Sequence, residues 1–356
     1  MTRLCDELLQ GAIDLHQHAA PSVFERVTDD IGLALESRQR GMRAVLLKAH
    51  EHDTTGRAAL VRRQVPGIET FGGIVLNHSV GGLNPQAVDG CIKLGGRMVW
   101  MPTLSARHHI GFFGGSHFGA SMRARADAVE RKTTEHKTLT GLSVLDAHGA
   151  LLPGVREILE LITAADICLS TGHLSLPEIR VLVKEARSIG VRKILITHPD
   201  LALSGMSIED QQALAADGAI LEKDIITMMP AWQSLSLQQM VASIRAIGPA
   251  HCALATDFGQ LHHPVPPEGM RMFVQLLLEQ GITPEDIRTM VAENPARLLG
   301  VDERVRRSYA ATDAAPLAGP DRRLCLSCRS RSVHSIGLVN TTSAPASRAR
   351  LAYGSP

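Results

Sequence analysis

From Gly11 to about Gly300 the sequence alternates short apolar runs, rich in β-branched residues, with amphipathic stretches. This alternation constrains the fold more than any other feature, because strands regularly separated by helices build parallel sheets. Apolar runs over 12–18, 43–50, 69–77, 97–103, 167–173, 193–198, 219–226 and 251–257 predict eight strands. Helical spacing predicts helices over 29–40, 54–64, 85–94, 153–164, 177–189, 207–216, 236–247, 267–280 and 284–299. The strands read as near-continuous apolar runs, as strands buried on both faces do. Eight strand–helix pairs point to an α/β fold, a (β/α)8 TIM barrel. An open doubly wound sheet is the runner-up, but it calls for a glycine-rich phosphate turn after its first strand. His16-Gln17-His18 stands there instead.

Two regions break the pattern. Residues 105 to about 139 form an insertion after the fourth strand, rich in His, Gly and Phe and then charged. A connection of that length serves a function or stays unstructured; a lid and an oligomer contact are both open readings. A hairpin is expected over 142–152, with His148-Gly149 near its turn. After residue 300 the composition shifts to Arg, Ser and Ala without periodicity. The expected organisation is a barrel over 1–300 and a poorly ordered tail over 301–356. Cys325 and Cys328 in the tail lack two further zinc ligands nearby and read as unpaired cysteines.

The net charge of +1 and an aromatic content of 3% give no case for nucleic acid or an anionic membrane. No apolar run reaches the roughly 20 residues of a membrane span, and residues 1–10 do not read as a secretory leader. Cys5, Cys91, Cys168 and Cys252 are scattered, which suits a reducing, cytoplasmic setting. The expected partner is a small-molecule substrate, with homo-oligomer formation left open.

Chemistry in such barrels sits at the C-terminal ends of the strands. The first strand places His16 and His18 there. Alternate residues of a strand share a face, so the two imidazoles are expected to converge while Leu15 points away. The second strand offers Lys48 and His50, the third Asn77 and the fourth Trp100 and Thr103, with Arg107, His108 and His109 just beyond. The fifth offers His173, the sixth His198, the seventh Glu222 and the eighth Asp257. Histidines and a carboxylate gathered at one end of so many strands point to a metal.

On these residues the chain resembles the amidohydrolase superfamily of metal-dependent hydrolases, whose pattern is HxH on strand one, His on strands five and six, and Asp on strand eight. The matching positions are His16, His18, His173, His198 and Asp257, and ENPARLLG at 293–300 resembles the stretch that closes those barrels. GGIVLN (72–77), VGGLNP (80–85) and WMPT (100–103) carry a closer likeness to bacterial amidohydrolase-like proteins without assigned function. The resemblance implies that His16, His18, His173, His198 and Asp257 hold a divalent metal, with Zn²⁺ the first choice and Mn²⁺ or Fe²⁺ the alternatives. Asp257 would also act as general base, and His198 would ligate the metal or polarise the substrate. Lys48, His50, Asn77, Arg107, His108 and Glu222 would face substrate, Glu222 with the option of an extra ligand. The fourth strand lacks the Lys or Glu that bridges two metals in binuclear members, so one ion is expected. Lys48 is the substitute bridge if carbamylated; otherwise it pairs with a carboxylate or binds substrate. The implied activity is hydrolysis of an amide, lactone or related bond. A binuclear phosphoesterase, a non-hydrolytic lyase or decarboxylase, and a non-catalytic binding barrel stay open.

Overall fold

The computed structural model describes residues 2–116 and 140–301, all within a unit that runs to Ser308. The tail, and the insertion from 117 to 139, lie outside the described residues.

The strands are β1 (Ile13–Gln17), β2 (Ala44–Leu47), β3 (Glu69–Phe71), β4 (Gly73–Val75), β5 (Met98–Trp100), β6 (Cys168–Ser170), β7 (Ile194–Ile196), β8 (Ile220–Asp224) and β9 (Cys252–Ala255). Every pairing between them is parallel, in the orders β1-β2-β3 and β4 through β9. β3 and β4 are two halves of the expected third strand. The break falls at Gly72-Gly73, where Thr54 wedges in: its N–H donates to the Gly73 carbonyl at 3.0 Å and its hydroxyl accepts from the Gly73 N–H. A Cβ on Gly72 would sit 2.6 Å from the Thr54 backbone, so only glycine admits this approach. The barrel closes where Asp257 N–H donates to the His16 carbonyl (2.7 Å) and His18 N–H to the Phe258 carbonyl (2.8 Å). The (β/α)8 expectation holds.

The helices are α1 (Thr2–Leu9), α2 (Asp30–Gln39), α3 (Thr55–Gln64), α4 (Pro85–Lys93), α5 (Arg107–Phe113), α6 (Pro153–Ala165), α7 (Leu176–Ile189), α8 (Ile208–Ala216), α9 (Leu237–Ile247), α10 (Pro266–Glu279), α11 (Pro284–Arg288) and α12 (Asn294–Leu299). Their starts follow from local chemistry. Ser175, Ser207 and Ser236 each form a reciprocal capping box with the acid or amide three residues on. None of these helices is long and apolar enough to cross a membrane.

Three expectations are corrected. α1, unforeseen, buries Cys5, Leu8 and Leu9. α5 forms at the start of what reads as a long loop. The single helix expected over 284–299 is interrupted by a π turn at Thr289–Glu293. At 142–152 a short antiparallel bridge, Leu145 with Leu151, stands for the expected hairpin.

Alternation along each strand sorts the core into layers. Ala44, Leu46, Met98, Trp100, Cys168, Leu195, Ile220 and Ala253 share one cluster, the barrel lumen. Their neighbours Val99, Leu169, Ile194, Leu221 and Cys252 pack outward against the helices. Ala296, Leu298, Leu299 and Val301 join the lumen cluster. Asn294 ties α12 down by donating to the Cys252 carbonyl at 2.6 Å. The lower lumen is thereby filled, and polar groups are left to its upper end.

Candidate metal centre

β1 departs from simple alternation. Its register against β2 shifts between Asp14 and Gln17, an irregularity of the bulge kind. Leu15 therefore joins the lumen cluster with Ile13, while its neighbour His16 also meets the lumen-facing groups Lys48 and Glu222. The expectation that Leu15 faces away from His16 is corrected. The fully buried Asp14 carboxylate steadies the irregularity by accepting from the His16 N–H (3.0 Å) and the Thr256 hydroxyl (2.6 Å). Burial pushes its carboxyl up to about 7.

Three acceptor atoms converge above this point. His16 Nε2 and His18 Nε2 each lie 3.0 Å from Asp257 Oδ1. His18 Nδ1 lies 3.1 Å from the Lys48 carbonyl oxygen. A carbonyl only accepts, so Nδ1 carries the proton and the Nε2 lone pair is turned to a carboxylate. Burial, then the charge of Arg26, hold His18 well below the usual imidazole range, so it stays neutral. Acceptor atoms gathered this closely could hold a cation. Tetrahedral ligands of an ion with bonds of 2.0–2.1 Å stand about 3.3 Å apart, close to the spacing present. The donor set, two imidazoles and a carboxylate, suits a divalent transition metal.

A second layer of carboxylates lies beneath. Period-two geometry sets Glu222 and Asp224 on the lumen side of β8. Glu222 Oε1 accepts from His16 Nδ1, and Asp224 Oδ2 accepts from His198 Nδ1 at 3.0 Å. Burial raises both carboxyls to about 7, Asp224 also through the charge of Glu222. With Nδ1 engaged, the Nε2 atoms of both histidines are turned toward Asp257, His16 Nε2 also meeting Lys48. His198 Nε2 stands 3.8 Å from Asp257 Oδ2.

The backbone here is strained. Three described non-glycine residues have positive φ, and two are His198 (49°) and Asp257 (51°). Such conformations cost of order 1–3 kcal/mol each and mark functional sites.

The expected site residues divide into those the structure gathers and those it separates. His18, Lys48, His50, His173, His198 and Asp257 line one cavity, above His16. His50 stacks on His18 at 4.9 Å and bonds Thr103. His173 lies outside the convergent groups; its ring stands 5.5 Å from that of His198, and its Nδ1 lies 2.9 Å from His109 Nδ1. Lys48 Nζ donates to His16 Nε2 at 2.7 Å, and burial lowers its pKa.

Four residues expected at substrate stand elsewhere. Glu222 is fully buried beneath His16. Asn77 is buried and braces the loop after β5, donating to Thr103 Oγ1 and accepting from the N–H groups of Thr103 and Ser105. Arg107 is exposed on α5, and His108 Nε2 bonds the Leu203 carbonyl. α5 turns these two away and sends His109 inward instead. Sequence reading also missed Arg26, Leu201, Ile226, Trp232 and Gln260 on the cavity wall. Arg26, Leu201, Trp232 and Gln260 sit on connections without periodicity, whereas Ile226 closes the seventh apolar run and the period-two relation of Asp224 to Glu222 was there to be read.

A model of a family of unknown function, DUF6282, matches residues 11–222. No curated protein matches the sequence. The fold is similar to that of the probable dipeptidase PvdM from Pseudomonas aeruginosa, at 12% identity and a TM-score of 0.56 over 84% of this chain and 97% of that one. It is also similar to an amidohydrolase from Pseudomonas aeruginosa, at 12% identity and a TM-score of 0.52 over 83% and 97%. At such identity the likeness is one of fold.

Proposed function

The chain belongs to the DUF6282 family, which has no assigned function, and we propose from its site that it is a metal-dependent hydrolase of a small-molecule amide, lactone or related bond. The observation that carries this reading is the convergence of His16 Nε2, His18 Nε2 and Asp257 Oδ1 at the mouth of a barrel. Zn²⁺ is the first choice for that donor set, ahead of Mn²⁺ and Fe²⁺. A divalent ion held there supplies a Lewis acid that brings the pKa of water to about 7.

The chain's own groups do the rest. His16 and His18 present Nε2 because Glu222 and the Lys48 carbonyl hold their Nδ1 atoms. Asp257 spends Oδ1 on the ligand cluster and keeps Oδ2 toward His198. Oδ2 is the atom that takes the proton of the attacking water and hands it to the leaving group. His198 faces the bond to be cleaved with its Nε2, and Lys48, His50 and His173 line the space for substrate. The dipeptidase and the amidohydrolase of the same fold support a hydrolytic reading.

A two-ion site is the second reading. It is favoured by the group His16, His198, Glu222 and Asp224, whose ligand atoms lie within 4.8 Å of one another. Elemental analysis after metal-supplemented expression decides between them: we expect about one ion per chain, and two would select the second. Turnover on a panel of amides and lactones should fall roughly 10²–10⁴-fold in Asp257→Asn. A protein that binds no metal, or an Asp257→Asn variant as active as wild type, sinks the hydrolase reading.

A further inference from the structure

We propose that Arg26 is the receptor for a carboxylate on the substrate, so that the chain acts on small molecules carrying one carboxylate and an apolar body. The proposal deepens the hydrolase reading and rests on it for the reaction, but not for the binding.

Arg26 lies on the connection after β1. Its position is fixed by the barrel: its backbone bridges to Gln260, and the next N–H, that of Val27, donates to the Gly259 carbonyl at 2.9 Å. The side chain lines the same cavity as Lys48 and Asp257. Among the described residues its guanidinium makes one long bond, from Nε to Ser22 Oγ at 3.4 Å, and stacks over the Phe24 ring at 5.3 Å. No described carboxylate pairs with it. Glu51 and Asp257 act on it only through space, and Glu51 Oε1 is spent on the Val23 N–H. Burial lowers its pKa to about 10, still far above neutrality.

Glu51 and Asp257 offset the charge only through space, so most of the guanidinium N–H groups have no acceptor among the described residues, and an entering anion would supply one. The planar fork of arginine suits the two oxygens of a carboxylate. One such fork matches one carboxylate, and the Lys48 ammonium on the same wall is directed to His16 Nε2. Leu201, Ile226 and Trp232 supply an apolar wall in the same cavity, which suits the body of such a molecule.

The test is a matched pair, N-acetyl-leucinate and N-acetyl-leucinamide, titrated by calorimetry into the full chain, both zinc-loaded and metal-free. The carboxylate should bind roughly tenfold to a hundredfold tighter than the amide. Arg26→Gln should abolish that preference, and Arg26→Lys should keep part of it. Equal binding of the pair to wild type, no binding of either at millimolar concentration, or a preference that survives in Arg26→Gln overturns the proposal. Circular dichroism and metal content of the same samples show that the variants fold. Loss of the preference in Arg26→Gln in the metal-free protein supports the proposal even if the hydrolase reading fails.

Discussion

His16 shows how much one side chain does when both of its nitrogens are committed. Nδ1 is held by Glu222, and Nε2 is turned toward Asp257 and Lys48. Glu222→Gln keeps the shape but removes the charge that fixes the tautomer. We expect it to weaken metal binding 10–100-fold, measured by competition with a chromophoric chelator. Lys48 poses the opposite case, because its ammonium sits on the lone pair a metal would take. Lys48→Met removes a like charge from the metal site, so metal affinity should rise about tenfold or more. A fall in affinity in the same assay would show that Lys48 is itself a ligand, as a carbamate.

At the scale of elements, the site depends on how closely the connections after β1 and β9 approach. A Cβ on Gly259 would lie 2.1 Å from the His18 carbonyl oxygen, at a φ of 141° that L residues rarely adopt. Gly259→Ala should cost about 2–4 kcal/mol in a urea denaturation and weaken metal binding, because it pushes on the segment that carries His18. Unchanged stability would mean that this approach is not what fixes the segment. β8 makes the complementary point. Its lumen face carries Ile220, Glu222 and Asp224, whereas Lys223 on its outer face bonds Asp200, Gln211 and Ser243. One strand thus serves both the site and the packing of α8 and α9.

At the scale of the molecule, the barrel gathers Asp257, Glu222 and Asp224 toward its upper end. An ion that binds the folded state alone stabilises it by about 4 kcal/mol at a free concentration 1,000-fold above Kd. Chelation should therefore lower the thermal midpoint by several degrees, about 2–4 °C per kcal/mol for a domain of this size class, and added Zn²⁺ should restore it. An identical midpoint with and without chelator would argue against a metal belonging to the fold.

Much of this was legible in the residues themselves. The alternating apolar runs pointed to a parallel α/β fold, because helices and strands bury their faces at different periods, and His16-Gln17-His18 in place of a glycine-rich turn favoured the barrel over an open sheet. The same patterning set the histidines and Asp257 at strand ends. What only the tertiary structure decided was which way each group turns. The β1 irregularity brings both Leu15 and His16 into the lumen, where strict alternation separates them. α5 turns Arg107 and His108 out of the site and His109 in. Arg26 reaches the cavity from a connection with no period to read, held there by hydrogen bonds to residues more than two hundred positions away. Periodicity is a local property of the chain, but the direction of a side chain on a loop or beside a bulge is set by contacts that exist only once the barrel has closed.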